Sequence, residues 1–379
     1  MSSSDVVCLD YNDLVAEGGL DLTGEISRAF GVDGLGILTV KNVPGFVDAR
    51  EALLPLARDF ASLEEEVKQR YVHEASTFSF GWSHGKEKLQ GKPDVSKGSF
   101  YANPQFDRPV DDEAVIAEYP AFVHPNIWPS EHLPALEPAF KRLGQLMVSV
   151  GKLVARQCDA FLRKECDTYP EGRLAGVLES SLCCKGRLLH YFPMSSVGGG
   201  ASQDTAAAST SNASASASVD DDEDFSSWCG WHNDHGSITG LTSALFMDAA
   251  GNNVANTDPK AGLYIRSRAG ALVKVSIPAD HIAFQIGETA QIHSGGHLQA
   301  TPHAVRGSSV PGISRETFAV FMEPNWAERM DVPAGIAPEA AQSQAAASTL
   351  PPGVPPLASR WNPEQTFGDF TKATLGSYY

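Results

Sequence analysis

Apolar residues recur at helical spacing through Leu143, Leu146, Met147, Val150, Leu153, Val154, Cys158, Phe161 and Leu162, which predicts a helix from about Pro134 to Glu165 with one face buried on a sheet. A second helical stretch, from about Asp48 to Tyr71, is rich in Ala, Leu and Glu and is interrupted at Pro55. Gly36-Ile37-Leu38-Thr39-Val40 reads as a strand ahead of it. After about residue 185 the period changes to short strand-like runs, at 187–192, 237–246, 262–268, 271–277, 282–285, 299–306 and 316–322. Strands at this spacing predict an antiparallel barrel or jelly roll, and Arg268-Ala269-Gly270 supplies a tight turn between two of them. The chain is thus expected to be mainly β with helices, a mixed α/β N-terminal region packing on the strands.

Two tracts break this pattern. Ser195 to Asp222 is mostly Gly, Ser, Ala and Asp, and Val332 to Ser359 is rich in Ala, Pro and Ser; both are expected to be mobile additions. Loop closure costs only about 0.6 kcal/mol per doubling of length, so such tracts can sit between paired strands. The expected units are 1–130, then 131–330 with the helix at 134–165 and the insertion at 195–222, then the tract and tail 331–379.

Composition narrows the function classes. Of 379 residues, 42% are apolar and 20% charged, enough for a sizeable core. The balance of 29 Lys and Arg against 46 Asp and Glu gives −17, which disfavours phosphate backbones and anionic membranes. No basic, apolar leader opens the chain and no run approaches a membrane span, so a soluble, unexported, cytoplasmic protein is expected. The six cysteines form no C-x-x-C pair and are read as reduced thiols.

Histidine distribution points to chemistry. Seven of the 11 histidines lie between His190 and His303. In Trp231-His232-Asn233-Asp234-His235-Gly236, an extended backbone turns His232 and Asp234 to one face, where they can chelate one ion. With a distant histidine they make a two-His-one-carboxylate triad, which suits non-haem Fe(II) because coordination positions stay open. His281, His293, His297 and His303 are the downstream candidates, and His303 is preferred because it lies in a strand-like run. Arg315 and Thr317 then share a strand face, where a guanidinium and a hydroxyl suit the far carboxylate of a dicarboxylic co-substrate.

In this order the motifs resemble the 2-oxoglutarate- and Fe(II)-dependent dioxygenases, specifically the isopenicillin-N-synthase-like group. Val6 to Asp10, Glu25 to Phe30, Gly36 to Asn42 and Phe60 to Tyr71 look like its N-terminal region. Arg187 to Pro193, Trp231 to Gly236, Ala261 to Tyr264, Gln285 to Glu288, His303 and Arg315-Glu316-Thr317 follow the order of its C-terminal motifs. The resemblance implies a double-stranded β-helix (jelly-roll) barrel in which His232, Asp234 and His303 hold Fe(II). Arg315 and Thr317, with Tyr191, would take 2-oxoglutarate. The implied reaction couples decarboxylation of that co-substrate, with O2, to oxidation of a small organic molecule, usually hydroxylation.

Three departures stand out. The group's Asn-x-Tyr reads Leu189-His190-Tyr191 here, so the phenol is kept and the amide is lost; the serine of R-x-S is Thr317; and the spacings are stretched by Ser195 to Asp222, by Asp248 to Lys260 and by Gly307 to Ser314. Two other readings compete: an Fe(II) oxidase of the same fold that uses no 2-oxoglutarate, and a non-catalytic binding module on the same barrel.

Overall fold

The apolar stripe becomes the helix Leu136–Glu165, which in a computed structural model of the chain buries Phe140, Leu143, Met147, Val150, Val154, Cys158 and Leu162. The structure describes residues 6–17, 19–86, 88–89, 92–193, 228–256, 258–342, 350–351 and 353–378. The run 195–222 lies outside them. This helix lies hard against a sheet. A Cβ at Gly151 would collide with the Met322 side chain, and one at Gly186 would come within 2.6 Å of the Phe140 ring. A packed interior has no slack for either atom.

The strands of the first half are β1 (Val7–Asp10), β2 (Ile37–Lys41), β3 (Gly81–His84), the short pair β4 (Lys88–Leu89) and β5 (Lys92–Pro93), and β6 (Lys97–Ala102). Those of the second half begin with β7 (Lys185–Tyr191), β8 (Cys229–His232), β9 (Ile238–Thr242), β10 (Leu245–Met247) and β11 (Asn253–Val254). They end with β12 (Gly262–Arg266), β13 (Leu272–Val275), β14 (Ile282–Ile286), β15 (His303–Arg306) and β16 (Ser314–Met322).

The main sheet runs β1-β2-β14-β9-β16-β7-β6-β3, with β10 on β16 and β11 on β10. A second sheet runs β13-β12-β15-β8. Leu189, Tyr191, Ala283 and Ala319 of the first pack with Leu263, Ile265, Val275 and Val305 of the second, so a core lies between the two. No closed barrel is seen among the described residues. No helix among them is long and apolar enough to cross a membrane, and all six cysteines are free thiols.

The expected elements stand with instructive differences. The stretch 48–71 forms three helices, Phe46–Leu53, Pro55–Ala61 and Glu65–Gln69, because Pro55 cannot continue the first and instead opens the second. The run 237–246 divides into β9 and β10. Gly270, at φ +78°, turns the chain between β12 and β13 as expected. Strands β3 and β6 were not foreseen. Phe100 of β6 packs on Phe60 and Trp128, while Lys97 and Ser99 on the other face are also buried, so no alternation marks the strand.

The expected mobility of 332–359 does not hold for its described parts. Ala341 and Leu357 are buried with Trp361, Phe367 and Phe370, and Val354 is buried beside Trp231. A few apolar anchors suffice in a proline-rich segment, whose backbone has less conformational freedom to lose on ordering. Next to this tract, Arg360 grips Glu288 with two hydrogen bonds of 2.9 and 2.7 Å, both side chains almost fully buried. Replacing Arg360 with methionine would strand a buried carboxylate. The expected loss is about 3–5 kcal/mol, read as a shift of the urea-unfolding midpoint; an unchanged midpoint would show that the pair contributes nothing.

Candidate active site

His232 closes β8, His303 opens β15, and the two residues face each other in register across the smaller sheet. Asp234 follows two residues after His232. One donor atom from each of these three side chains lies within 4.8 Å of the others, and Asp234 Oδ1 is 3.9 Å from both His232 Nε2 and His303 Nε2. Each imidazole points its Nδ1 at a backbone carbonyl, His232 at Gly230 (2.8 Å) and His303 at Thr301 (3.3 Å). That contact fixes the ring orientation and, in the neutral imidazole, leaves Nε2 with its lone pair toward the cluster. Asp234 Oδ2 is buried without a hydrogen-bond partner. Two oriented imidazoles and a carboxylate with an unsatisfied oxygen fit a first-row metal such as iron.

Electrostatics tie the three together. Burial opposes the Asp234 charge, but His303 and His232 outweigh it and hold the carboxyl below its ordinary value. Burial and the neighbouring His232 push His303 down to about 4. On His232, burial works against the cation, yet the Cys229 thiolate and Asp234 prevail and raise it to about 9. A metal ion would therefore take His303 as it stands and displace a proton from His232.

The other candidates are elsewhere. His293 is buried in the helix Glu288–His293 with Nε2 at the Arg329 carbonyl, and His281 lies beside Thr39. His297 is in the turn after Gly295 and Gly296, both at positive φ. His190 faces away from the cavity and pairs with buried Glu316 at 2.9 Å.

The cluster borders a cavity of about 600 Å³ between the two sheets. Alternate residues of two neighbouring strands line it, Arg187, Leu189 and Tyr191 from β7 and Arg315, Thr317, Ala319 and Phe321 from β16. Arg315 stands opposite Tyr191, its guanidinium 4.8 Å from the ring centre, and Thr317 stands opposite Leu189. Arg315 is buried, yet among the described residues its Nε and Nη1 have no hydrogen-bond partner. Buried donors of a cation are costly to leave unmet, so this end of the cavity suits an anionic oxygen pair. Leu189, the position of the lost amide, lines the same wall.

A second cavity of about 280 Å³ opens on the other side of the metal cluster, and His232, Asp234, Cys229, Arg187 and Phe321 belong to both. Its remaining walls include Lys97 and Tyr101 of β6, Lys185 of β7, Glu323, and Thr371 and Thr374 of the helix Phe367–Tyr378. Sequence reasoning missed all of these. The alternation Lys185, Arg187, Leu189, Tyr191 was the available signal, but only the pairing with β16 shows which face looks inward. Burial pushes the Glu323 carboxyl up to about 7, with Lys185 limiting the rise.

No family model and no curated protein matches the chain. Solved structures do. One is a Caulobacter crescentus protein assigned to the 2OG-Fe(II) oxygenase family, with a TM-score of 0.66, 16% identity and 100% of both chains covered. Another is a full-length Neurospora crassa protein in complex with alpha-KG, with a TM-score of 0.62 and 18% identity, covering 98% of this chain and 96% of that one. A third is the rice dioxygenase for auxin oxidation, at 0.57 and 16%, covering 98% and 96%. At such identities the likeness is one of architecture, and this chain has the fold of the 2OG-Fe(II) oxygenases.

Proposed function

We propose that the protein is an iron- and 2-oxoglutarate-dependent oxygenase that oxidises a small organic substrate. The observation that carries this reading is the pairing of the His232, Asp234 and His303 cluster with an unpartnered, buried Arg315 guanidinium in one cavity. Support comes from structures of the same fold: the Neurospora crassa protein was also solved with alpha-KG and thymine, and JOX2 with 2OG, Fe and JA. The two facing sheets contain, in this reading, the double-stranded β-helix; residues 1–130 extend the larger sheet at both edges through β1, β2, β3 and β6, and the helix Phe367–Tyr378 walls the smaller cavity.

His232, Asp234 and His303 would hold Fe(II) from one side and leave its remaining positions toward the cavities. Bound iron would supply the oxygen chemistry that amino-acid side chains lack. Arg315 would take the far carboxylate of 2-oxoglutarate through its free Nε and Nη1, and the Thr317 hydroxyl would add a hydrogen bond. The Tyr191 ring, 4.8 Å from the guanidinium, would help hold it in place. Apolar Leu241, Val305, Ala319 and Phe246 exclude water around the co-substrate stem.

The expected result with purified full-length protein is succinate release that needs both Fe(II) and 2-oxoglutarate and stops on chelation. No release under any iron loading would sink the proposal. Leu189 on the cavity wall is the one feature favouring an iron oxidase without 2-oxoglutarate; oxygen uptake that ignores 2-oxoglutarate would favour that alternative.

A further inference from the structure

One wall runs the length of the site. Residues 315, 317, 319 and 321 of β16 share a face with 185, 187, 189 and 191 of β7, and Glu323 continues it one step past the strand end. The Arg315 end looks into the larger cavity and the Lys185 and Glu323 end into the smaller, with the metal cluster common to both. Lys185 stands opposite Phe321, so Glu323 is its diagonal neighbour, at roughly 7–8 Å for such positions.

Both charges are buried, Lys185 to 7% and Glu323 to 6% exposure, and neither is satisfied by the other. Among the described residues, the Lys185 ammonium has one hydrogen bond, to the Ala121 carbonyl, and lies over the Phe80 ring. An ammonium has three donors. The Glu323 carboxylate has His235 Nε2 at 3.6 Å, beyond hydrogen-bonding reach. Two further polar atoms of residues on this cavity, Asn233 Oδ1 and Thr371 Oγ1, are buried without partners. Polar groups this buried are normally paired.

We propose that Lys185 and Glu323 hold the polar end of the substrate, and that this end presents a hydrogen-bond acceptor beside a donor and carries no net charge. Lys185 donates to the acceptor and Glu323 accepts from the donor. An anion would be repelled by Glu323 and a cation by Lys185, whereas a neutral amide or an amino-acid zwitterion meets both. Phe78, Tyr101, Phe122 and Phe321 around them suit a planar or cyclic body. This assignment rests on the oxygenase reading for the word substrate, but its test needs no turnover.

Four one-ring probes that differ only in the head group, benzamide, phenylglycine, benzoate and benzylamine, are titrated calorimetrically into the full chain. The titrations are run with saturating 2-oxoglutarate and Mn(II), without oxygen. Benzamide or phenylglycine should bind at least tenfold tighter than benzoate and benzylamine, and which of the two binds separates amide from zwitterion. That preference should fall at least tenfold in Lys185→Met and in Glu323→Gln. Equal binding of the charged probes, no neutral probe binding below 10 mM, or unchanged affinity in folded variants overturns the proposal. Should Lys185→Met not fold, the ranking on the unaltered chain and on Glu323→Gln decides. Probe binding in a chain that fails to bind 2-oxoglutarate would remove the oxygenase reading and leave this one standing.

Discussion

Arg315→Met is expected to weaken 2-oxoglutarate binding by about 100-fold or more. Two charge-assisted hydrogen bonds to the far carboxylate are lost, each worth about 1.5–3 kcal/mol, and each 1.4 kcal/mol is tenfold in affinity. The effect should be specific, because among the described residues Arg315 Nε and Nη1 have no hydrogen-bond partner, so methionine removes no hydrogen bond of theirs there. The ring of Tyr191 loses a cation above it, a smaller term. Thr317→Val, which deletes one neutral hydrogen bond, should cost about 0.5–1.5 kcal/mol, or roughly three- to tenfold. Calorimetric titration of 2-oxoglutarate into Mn(II)-loaded protein reads both. Equal affinity in Arg315→Met and the unaltered protein would remove Arg315 from the co-substrate site.

His303→Ala should lower iron affinity by about 100-fold or more. Loss of a residue that merely orients a ligand costs about 10–100-fold, and His303 supplies the donor itself, opposite His232 and 3.9 Å from Asp234. His297→Ala, changed outside the cluster, should retain iron. Metal content after dialysis against graded chelator separates the two; retained iron in His303→Ala with loss in His297→Ala would reverse the ligand assignment. The fold should survive, since among the described residues the hydrogen bond of His303 Nδ1 is to the Thr301 carbonyl at 3.3 Å.

Much of the site was legible because strand chemistry is local. The H-x-D spacing brings His232 and Asp234 together on almost any extended backbone, and Arg315 and Thr317 share a face for the same reason. The choice of His303 over His281, His293 and His297 rested on its strand-like surroundings, and the pairing of β15 with β8 places it opposite His232. The C-terminal tract misled: its Ala, Pro and Ser content suggested mobility, while Ala341 and Leu357 anchor it in a buried cluster. The second cavity was invisible for a different reason. Besides the metal strand, its walls draw on β6, β7, the residue after β16, the helix Phe367–Tyr378 and residues near Phe78 and Phe122, segments with no shared periodicity.

The sequence alone determined the long amphipathic helix, the run of strands, the donor types for a metal and the guanidinium for a dicarboxylate, because each depends on residues a few positions apart. Only the tertiary structure decided which face of β7 looks inward, that Arg315 Nε and Nη1 have no hydrogen-bond partner among the described residues, and that Lys185 and Glu323 share a cavity with the metal cluster. Those facts depend on pairings between β7 and β16, more than a hundred residues apart in the chain. Whether a buried charge is satisfied is decided by what the fold brings beside it, not by its neighbours in sequence.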